Sequence, residues 1–272
     1  MRSTPRLKDR IAIVTGASKG IGRAIALAFA QEEVSLSLCA RDGTRAQSVA
    51  KECRDRGGRA ISMACDVSQE EDVDRLVAET LKNYGRIDIL VANAAVIEPV
   101  RPAIEMPARD WANHLNINLT GIFLCNRAVL PQMIRQNYGR IQNMGSGLES
   151  EPVANMAPYA ASKGAVSSMT RVLAKETAAY NIKINVHYPG DLCTDMNPRG
   201  KGKPEDAVPC AIYLASLTKD GPTGRTFESD KEIRFWHGEA PRPNAIALAT
   251  LGSIGRFRSG MRKLKYMVRT LR

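Results

Sequence analysis

Residues 11–30 constrain the fold more than any other stretch of this chain. Ile11-Ala12-Ile13-Val14 is a short apolar, β-branched run, Thr15-Gly16-Ala17-Ser18-Lys19-Gly20-Ile21-Gly22 follows it, and Arg23-Ala24-Ile25-Ala26-Leu27-Ala28-Phe29-Ala30 then reads as a helix. The order is strand, glycine turn, helix. Glycine lets a backbone approach a pyrophosphate closely, and the free N–H groups and dipole at a helix start favour phosphate charge. Gly16, Ser18, Lys19, Gly20, Ile21 and Gly22 are therefore the expected wall of a dinucleotide cradle. The spacing Gly-x-x-x-Gly-x-Gly departs from the Gly-x-Gly-x-x-Gly fingerprint but keeps its strand-to-helix setting. A purely structural glycine turn is the competing reading.

The second apolar run, Leu36-Ser37-Leu38-Cys39-Ala40, ends where a fold that binds NAD carries an acid for the adenosine ribose. Ala40 stands there, and Arg41 follows. With Lys19 in the glycine turn, two cations replace one carboxylate, which favours the 2′-phosphate of NADP through charge-assisted hydrogen bonds. A surface arginine beside Asp42 is the alternative.

A second constellation lies further on. Tyr159 and Lys163 are one helical turn apart in Tyr-Ala-Ala-Ser-Lys, with Ser146 thirteen residues upstream. A phenol with a pKa near 10 is a poor acid at neutral pH unless a nearby cation stabilises its phenolate. Positions i and i+4 share a helix face, so Lys163 is placed to be that cation, and the Ser146 hydroxyl to hold a carbonyl or alcohol oxygen. The bland alternative is a half-buried aromatic, a solvated lysine and a loop hydroxyl.

Elsewhere strand and helix patterns alternate: helix over 44–56, strand over 60–64, a capping box at Ser68-Gln69-Glu70-Glu71, strand over 87–92, a long helix over 112–135, strand over 139–143, helix over 157–180 and strand over 183–186. This predicts an α/β fold, a doubly wound Rossmann-type parallel sheet with helices on both faces, in a single catalytic domain over residues 1–237. No run of 18 apolar residues and no apolar signal core is present, so a cytoplasmic protein is expected. The six cysteines lack Cys-x-x-Cys spacing, and His114, His187 and His237 are far apart, so free thiols and no metal site are expected.

Together these residues resemble the short-chain dehydrogenase/reductase family over residues 8 to about 237. The glycine turn matches its cofactor turn, and Asp66-Val67 matches the pair beside the adenine ring. Asn93-Ala94-Ala95 matches the segment after the fourth strand, with Ala95 where the family usually has glycine. Asn118, rather than Asn116, matches the asparagine of a catalytic tetrad completed by Ser146, Tyr159 and Lys163. Pro189-Gly190, with Leu192 and Thr194 after it, matches the loop at the nicotinamide end. The resemblance implies that NADPH delivers hydride to a carbonyl carbon, Tyr159 donates the proton, and Ser146 holds the oxygen. It also implies that Lys163 binds the nicotinamide ribose and lowers the phenol's pKa, while Asn118 holds a relay water.

The polar, cationic segment 195–203 reads as a short flexible loop. With Pro204-Glu205-Asp206, Gly221-Pro222-Thr223-Gly224, Lys231 and Trp236, it resembles the carbonyl-reductase branch with a short substrate loop. The short Ser146–Tyr159 interval lacks the insertion of monomeric carbonyl reductases, so a homodimer or homotetramer is implied. A 3-oxoacyl-thioester reductase is the alternative of the same class, and an NADP-binding scaffold or interaction protein the alternative of another.

The chain's +11 is concentrated at its end: residues 239–272 hold eight cations and one anion. Phe257, Met261, Leu264, Val268 and Leu271 recur at 4-3-4-3 spacing with the cations mostly opposite, so residues 238–272 form a basic extension with an amphipathic-helix pattern. Docking on the protein's own surface or a sister subunit, attachment to an anionic membrane or acidic partner, and nucleic-acid binding remain open readings, the last the least favoured.

Overall fold

A computed structural model describes residues 6–233. The apolar runs become β1 (Ile11–Thr15), β2 (Ser35–Ala40), β3 (Arg59–Ala64), β4 (Ile89–Ala92), β5 (Gly139–Met144), β6 (Ile182–His187), β7 (Thr226–Glu228) and β8 (Lys231–Ile233). They form one sheet in the order β3-β2-β1-β4-β5-β6-β7-β8, parallel except for the last pair. Between the strands run α1 (Gly20–Gln31), α2 (Gly43–Asp55), α3 (Glu70–Tyr84), α4 (Ala108–Leu115), α5 (Gly121–Arg135), α6 (Ala157–Glu176) and α7 (Val208–Ala215). The doubly wound parallel sheet is as the alternation of patterns implied.

Two apolar layers explain why the central strands are hydrophobic at nearly every position. Val14, Leu36, Leu38, Ile89 and Val91 face α1, α2 and α7, where Ile25, Phe29, Val49 and Ala211 meet them. Ile13, Leu90, Ile141 and Ile184 face the other way, onto Leu76, Val129, Met133 and Val166 of α3, α5 and α6. A strand covered on both faces has no solvent side to alternate toward.

Three devices place the functional end of the sheet. The chain leaves β1 for β2 on one side and returns to β4 on the other, so a crevice opens at the carboxyl ends of β1 and β4. Next, buried side chains tie β5 between two helices: Asn126 Nδ2 donates to Asn143 Oδ1 (2.7 Å), and Asn143 Nδ2 donates to Thr170 Oγ1 (3.0 Å). Finally, α4 and α5 are joined by a π-helical turn, Asn116–Thr120. A turn of this kind widens a helix by one residue and turns side chains out of their α-helical register.

Several expectations are corrected. The long helix begins at Ala108, four residues early, and the π turn leaves no trace in the hydrophobic period. The helix carrying Tyr159 ends at Glu176, not at residue 180. The capping box does not form, because Ser68 turns back to donate its hydroxyl and its N–H to Asp66 Oδ1 (2.8 and 3.0 Å), and Gln69 becomes the cap residue.

The 195–203 loop is held by its own backbone rather than flexible. Cys193 N donates to Gly202 O (2.7 Å), Thr194 and Asn197 exchange two bonds, and Lys201 and Gly202 both donate to Asp191 O. The basic extension lies outside the described residues.

Candidate active site

The crevice holds a cavity of about 390 Å³. Its floor is the glycine turn. Gly16 has φ +64°, and a Cβ there would come 2.8 Å from the Ala94 Cα. A Cβ on Gly22 would lie 2.4 Å from the Gly16 carbonyl oxygen, so α1 can pack under the turn only with glycine at that position. Asn93 clamps the turn from β4: its Nδ2 donates to the carbonyls of Thr15 and Gly16 (3.0 and 3.2 Å). In return the Thr15 hydroxyl accepts from the N–H groups of Asn93 and Ala94. The first turn of α1 has no side-chain cap and no acidic residue, which leaves its N–H groups and dipole for an anion.

At one end of the cavity stand Ala40, Arg41, Asp42 and Arg45. Arg41 is exposed to it, as its position after β2 suggested. Arg45 is an addition that the sequence reading missed, although its place one helical turn after Arg41 is a legible signal. Asp42 is spent on Arg45: one oxygen accepts from its N–H (3.0 Å) and the other pairs with its Nε (3.1 Å). The Lys19 ammonium pairs with Asp195 at 2.5 Å. Asp66 and Val67 line the wall beside Cys65.

At the other end, α6 presents Tyr159 and Lys163, both buried. Ser146, which follows β5, stands beside the Tyr159 hydroxyl. Lys163 Nζ lies 5.5 Å from the centroid of the Tyr159 ring and donates to the Met144 carbonyl (2.8 Å). Burial pushes the ammonium down from 10.5 to about 8, opposed by the charge of Glu149. The phenol is raised above its ordinary value by burial, with the Ser146 hydroxyl working against the rise. In this arrangement burial dominates the phenol, and the ammonium, which was expected to lower it, donates to the end of β5.

Asn118 sits in the π turn, fully buried, and reciprocates with one residue of the loop after β4. Its Nδ2 donates to Val96 O and its Oδ1 accepts from Val96 N, both at 2.8 Å. The side chain thus holds the cavity wall at Val96 rather than standing free for a water. Asn118→Ala should cost about 2–3 kcal/mol in chemical denaturation, since it leaves a peptide donor and acceptor without partners. A loss below about 0.5 kcal/mol would contradict that role.

The structure also brings Ser18, Gly20, Ile21, Asn93, Ala94, Pro189 and Thr194 to the cavity. Gly22, Gly190 and Leu192 stand behind its lining: Leu192 is buried and bridges to Gly202, and Gly190 turns the loop at φ +85°. Met196 and Ile117 line the wall without having been anticipated. Among the described residues no group of His, Cys, Asp and Glu is spaced to hold a metal, and no helix is long and apolar enough to cross a membrane. All six cysteines are free thiols.

A family model described as short chain dehydrogenase matches residues 10–203. The 3-oxoacyl-(acyl-carrier-protein) reductase of Synechocystis sp. is 37% identical over 241 residues, 82% of this chain and 96% of the relative. The crystal structure of a metagenomic short-chain oxidoreductase in complex with NADP is 30% identical, with a TM-score of 0.73 over 80% of this chain and 95% of that one. The structure of an NAD+-bound xylitol dehydrogenase is 29% identical, with a TM-score of 0.75 over 81% and 97%.

Proposed function

The chain belongs to the short-chain dehydrogenase/reductase family, and from that premise we propose that it is an NADP(H)-dependent oxidoreductase that reduces a carbonyl to an alcohol. One observation carries the reading. Tyr159, with Ser146 beside its hydroxyl, and the buried Lys163 stand at one end of the cavity whose floor is the uncapped glycine turn.

A bound nicotinamide cofactor supplies the hydride. The chain supplies the rest. Gly16 and Gly22 keep the turn free of side chains, the start of α1 receives the pyrophosphate charge, and Thr194 lines the wall for the nicotinamide end. Tyr159 gives its proton to the oxygen of the substrate, and Ser146 hydrogen-bonds the same oxygen. Lys163 holds a positive charge under the Tyr159 ring, and Asn118 fixes Val96 as the wall beside them.

The preference for NADP rests on Arg41 and Arg45, with Asp42 already neutralised by Arg45 and so withdrawn as an acceptor for a ribose hydroxyl. Arg41→Ala should raise KM for NADPH about tenfold or more, the scale of a lost charge-assisted contact, and leave KM for NADH within about twofold. Steady-state kinetics with both cofactors reads this out. An unchanged NADPH-to-NADH ratio would remove Arg41 from the account.

A 3-oxoacyl thioester is the second reading of the substrate, favoured by the likeness to the Synechocystis reductase. Assembly as a homodimer or homotetramer through α5 and α6 is supported by Phe123 and Val172, apolar side chains that these helices expose. The test is NADPH oxidation with simple ketones, aldehydes and a 3-oxobutanoyl thioester. Turnover of the thioester alone selects the second reading, turnover of the ketones and aldehydes the broader one, and binding of NADPH with no turnover the scaffold alternative.

A further inference from the structure

Ser146 is followed by a short 3-10 turn, Gly147–Glu149, that packs on α6. Glu149 is half-buried there, and one of its carboxylate oxygens accepts from Ser167 Oγ at 2.5 Å. Ser167 is itself buried and lies four residues beyond Lys163. Tyr159, Lys163 and Ser167 therefore form one row along α6, and the end of that row fixes a carboxylate.

The surroundings of Lys163 explain what a carboxylate does there. A buried ammonium is strongly disfavoured unless a charge of opposite sign compensates it, and otherwise it sheds its proton. The hydrogen-bond partner of Lys163 is the uncharged Met144 carbonyl, and its ring neighbour is Tyr159. From β6, His187 lies opposite Met144 and is held neutral, with its pKa lowered to about 4 by burial. From α4 and the π turn come His114, whose ring nitrogens contact the Asp110 and Ile97 carbonyls, and Asn118, whose amide is spent on Val96. On α6 itself Arg171 adds positive charge near Glu149. Glu149 is the counter-charge that Lys163 feels; burial raises its carboxyl above the usual carboxylate value, and the Ser167 bond, Arg171 and Lys163 work against that rise.

We propose that Glu149 is a positioning residue: held by Ser167, its carboxylate is the fixed counter-charge that keeps the buried Lys163 ammonium protonated and so keeps Tyr159 working as a proton donor. The proposal rests on the catalytic reading given above for Lys163. Its logic is that of a charge pair split across two elements. The turn after β5 brings the acid, α6 brings the cation, and the Ser167 hydroxyl prevents the acid from swinging out to Arg171 and solvent.

The test is the pH profile of kcat/KM for carbonyl reduction by the full chain at saturating NADPH. Glu149→Gln keeps the shape and the acceptor for Ser167 but removes the charge. The alkaline limb should move to lower pH, so that the rate at pH 8 falls about threefold or more while the rate at pH 6.5 stays within about twofold. Glu149→Asp should recover most of the loss, and Ser167→Ala should reproduce part of it. An equal loss at every pH, with a lowered Tm and an unmoved limb, would show a merely structural tie and overturn the proposal.

Lys163 can also be followed directly, by its 13Cε resonance in lysine-labelled protein assigned with Lys163→Arg. A titration midpoint that falls in Glu149→Gln supports the counter-charge even if no carbonyl is ever reduced, in which case the functional reading alone has failed. A midpoint that does not move overturns the counter-charge whatever the activity.

Discussion

Tyr159→Phe is expected to lower kcat for carbonyl reduction by about 10²- to 10⁴-fold, the range contributed by a positioned general acid, while the Kd for NADPH changes by less than about threefold. The substitution removes one atom. The ring that packs at the cavity, 8% exposed, stays in place, and so does the surface over which the Lys163 ammonium lies. What disappears is the hydroxyl beside Ser146. Ser146 cannot take over, because an aliphatic hydroxyl is a far weaker acid than a phenol and has no cation of its own. Single-turnover measurement of NADPH oxidation separates the chemical step from release of product. A kcat within about threefold of wild type would remove Tyr159 as the acid.

Lys163→Met should do two things at once: cut turnover sharply and stabilise the protein. The loss of activity should reach about 10²-fold or more, since the charge near the proton donor is gone. The gain in stability follows from the sign of the lysine's shift. Its pKa in the folded chain, about 8, lies below its ordinary 10.5, so burial disfavours the charged form that prevails at neutral pH. Between those values the unfolded chain binds more protons than the folded one, and stability therefore rises with pH across that window. At pH 7 the full burden of the buried charge is present. Methionine, of similar length and apolar, removes it at the cost of the donor to Met144 O, for a net gain of about 2 kcal/mol. Denaturant titrations of both proteins at pH 7 and pH 10 check the claim: the gap between them should narrow at the higher pH. A methionine variant less stable at pH 7 would mean that the ammonium is better accommodated than its surroundings indicate.

That coexistence of lost function and gained stability marks the positions where sequence reasoning reaches function but not electrostatics. Glycine at 16 and 22, and the apolar run before them, were legible because no other residue type satisfies a positive φ and a 2.4 Å approach. Arg41 was legible from its place after β2. The order of Asn118, Ser146, Tyr159 and Lys163 along the chain was legible as well. The phenol's pKa was not, because its direction depends on burial and on where the ammonium points, and both are set by β5 rather than by the Tyr-x-x-x-Lys spacing. The π turn at Asn118 adds one residue to a helix without disturbing its apolar period, and so left no mark.

Composition also misled at two places. The polar, glycine-rich 195–203 segment looked mobile, yet Gly200 packs so closely on Leu192 that a Cβ would lie 2.2 Å from its carbonyl carbon, and the loop closes on Asp191 and Gly202. Ser68 has the right type and spacing for a capping box, but the neighbouring Asp66 offers its hydroxyl a better acceptor. Local signals fail where a nearby side chain competes for the same group.

The most direct test of the account is transfer of deuterium from 4-deuterated NADPH to a panel that contains a 3-oxobutanoyl thioester and simple ketones. The account predicts an alcohol carrying one deuterium on the former carbonyl carbon with the wild-type chain, and about a hundredth of that label or less with Tyr159→Phe in the same time. A wild-type chain that binds NADPH but leaves every carbonyl in the panel unlabelled would contradict it.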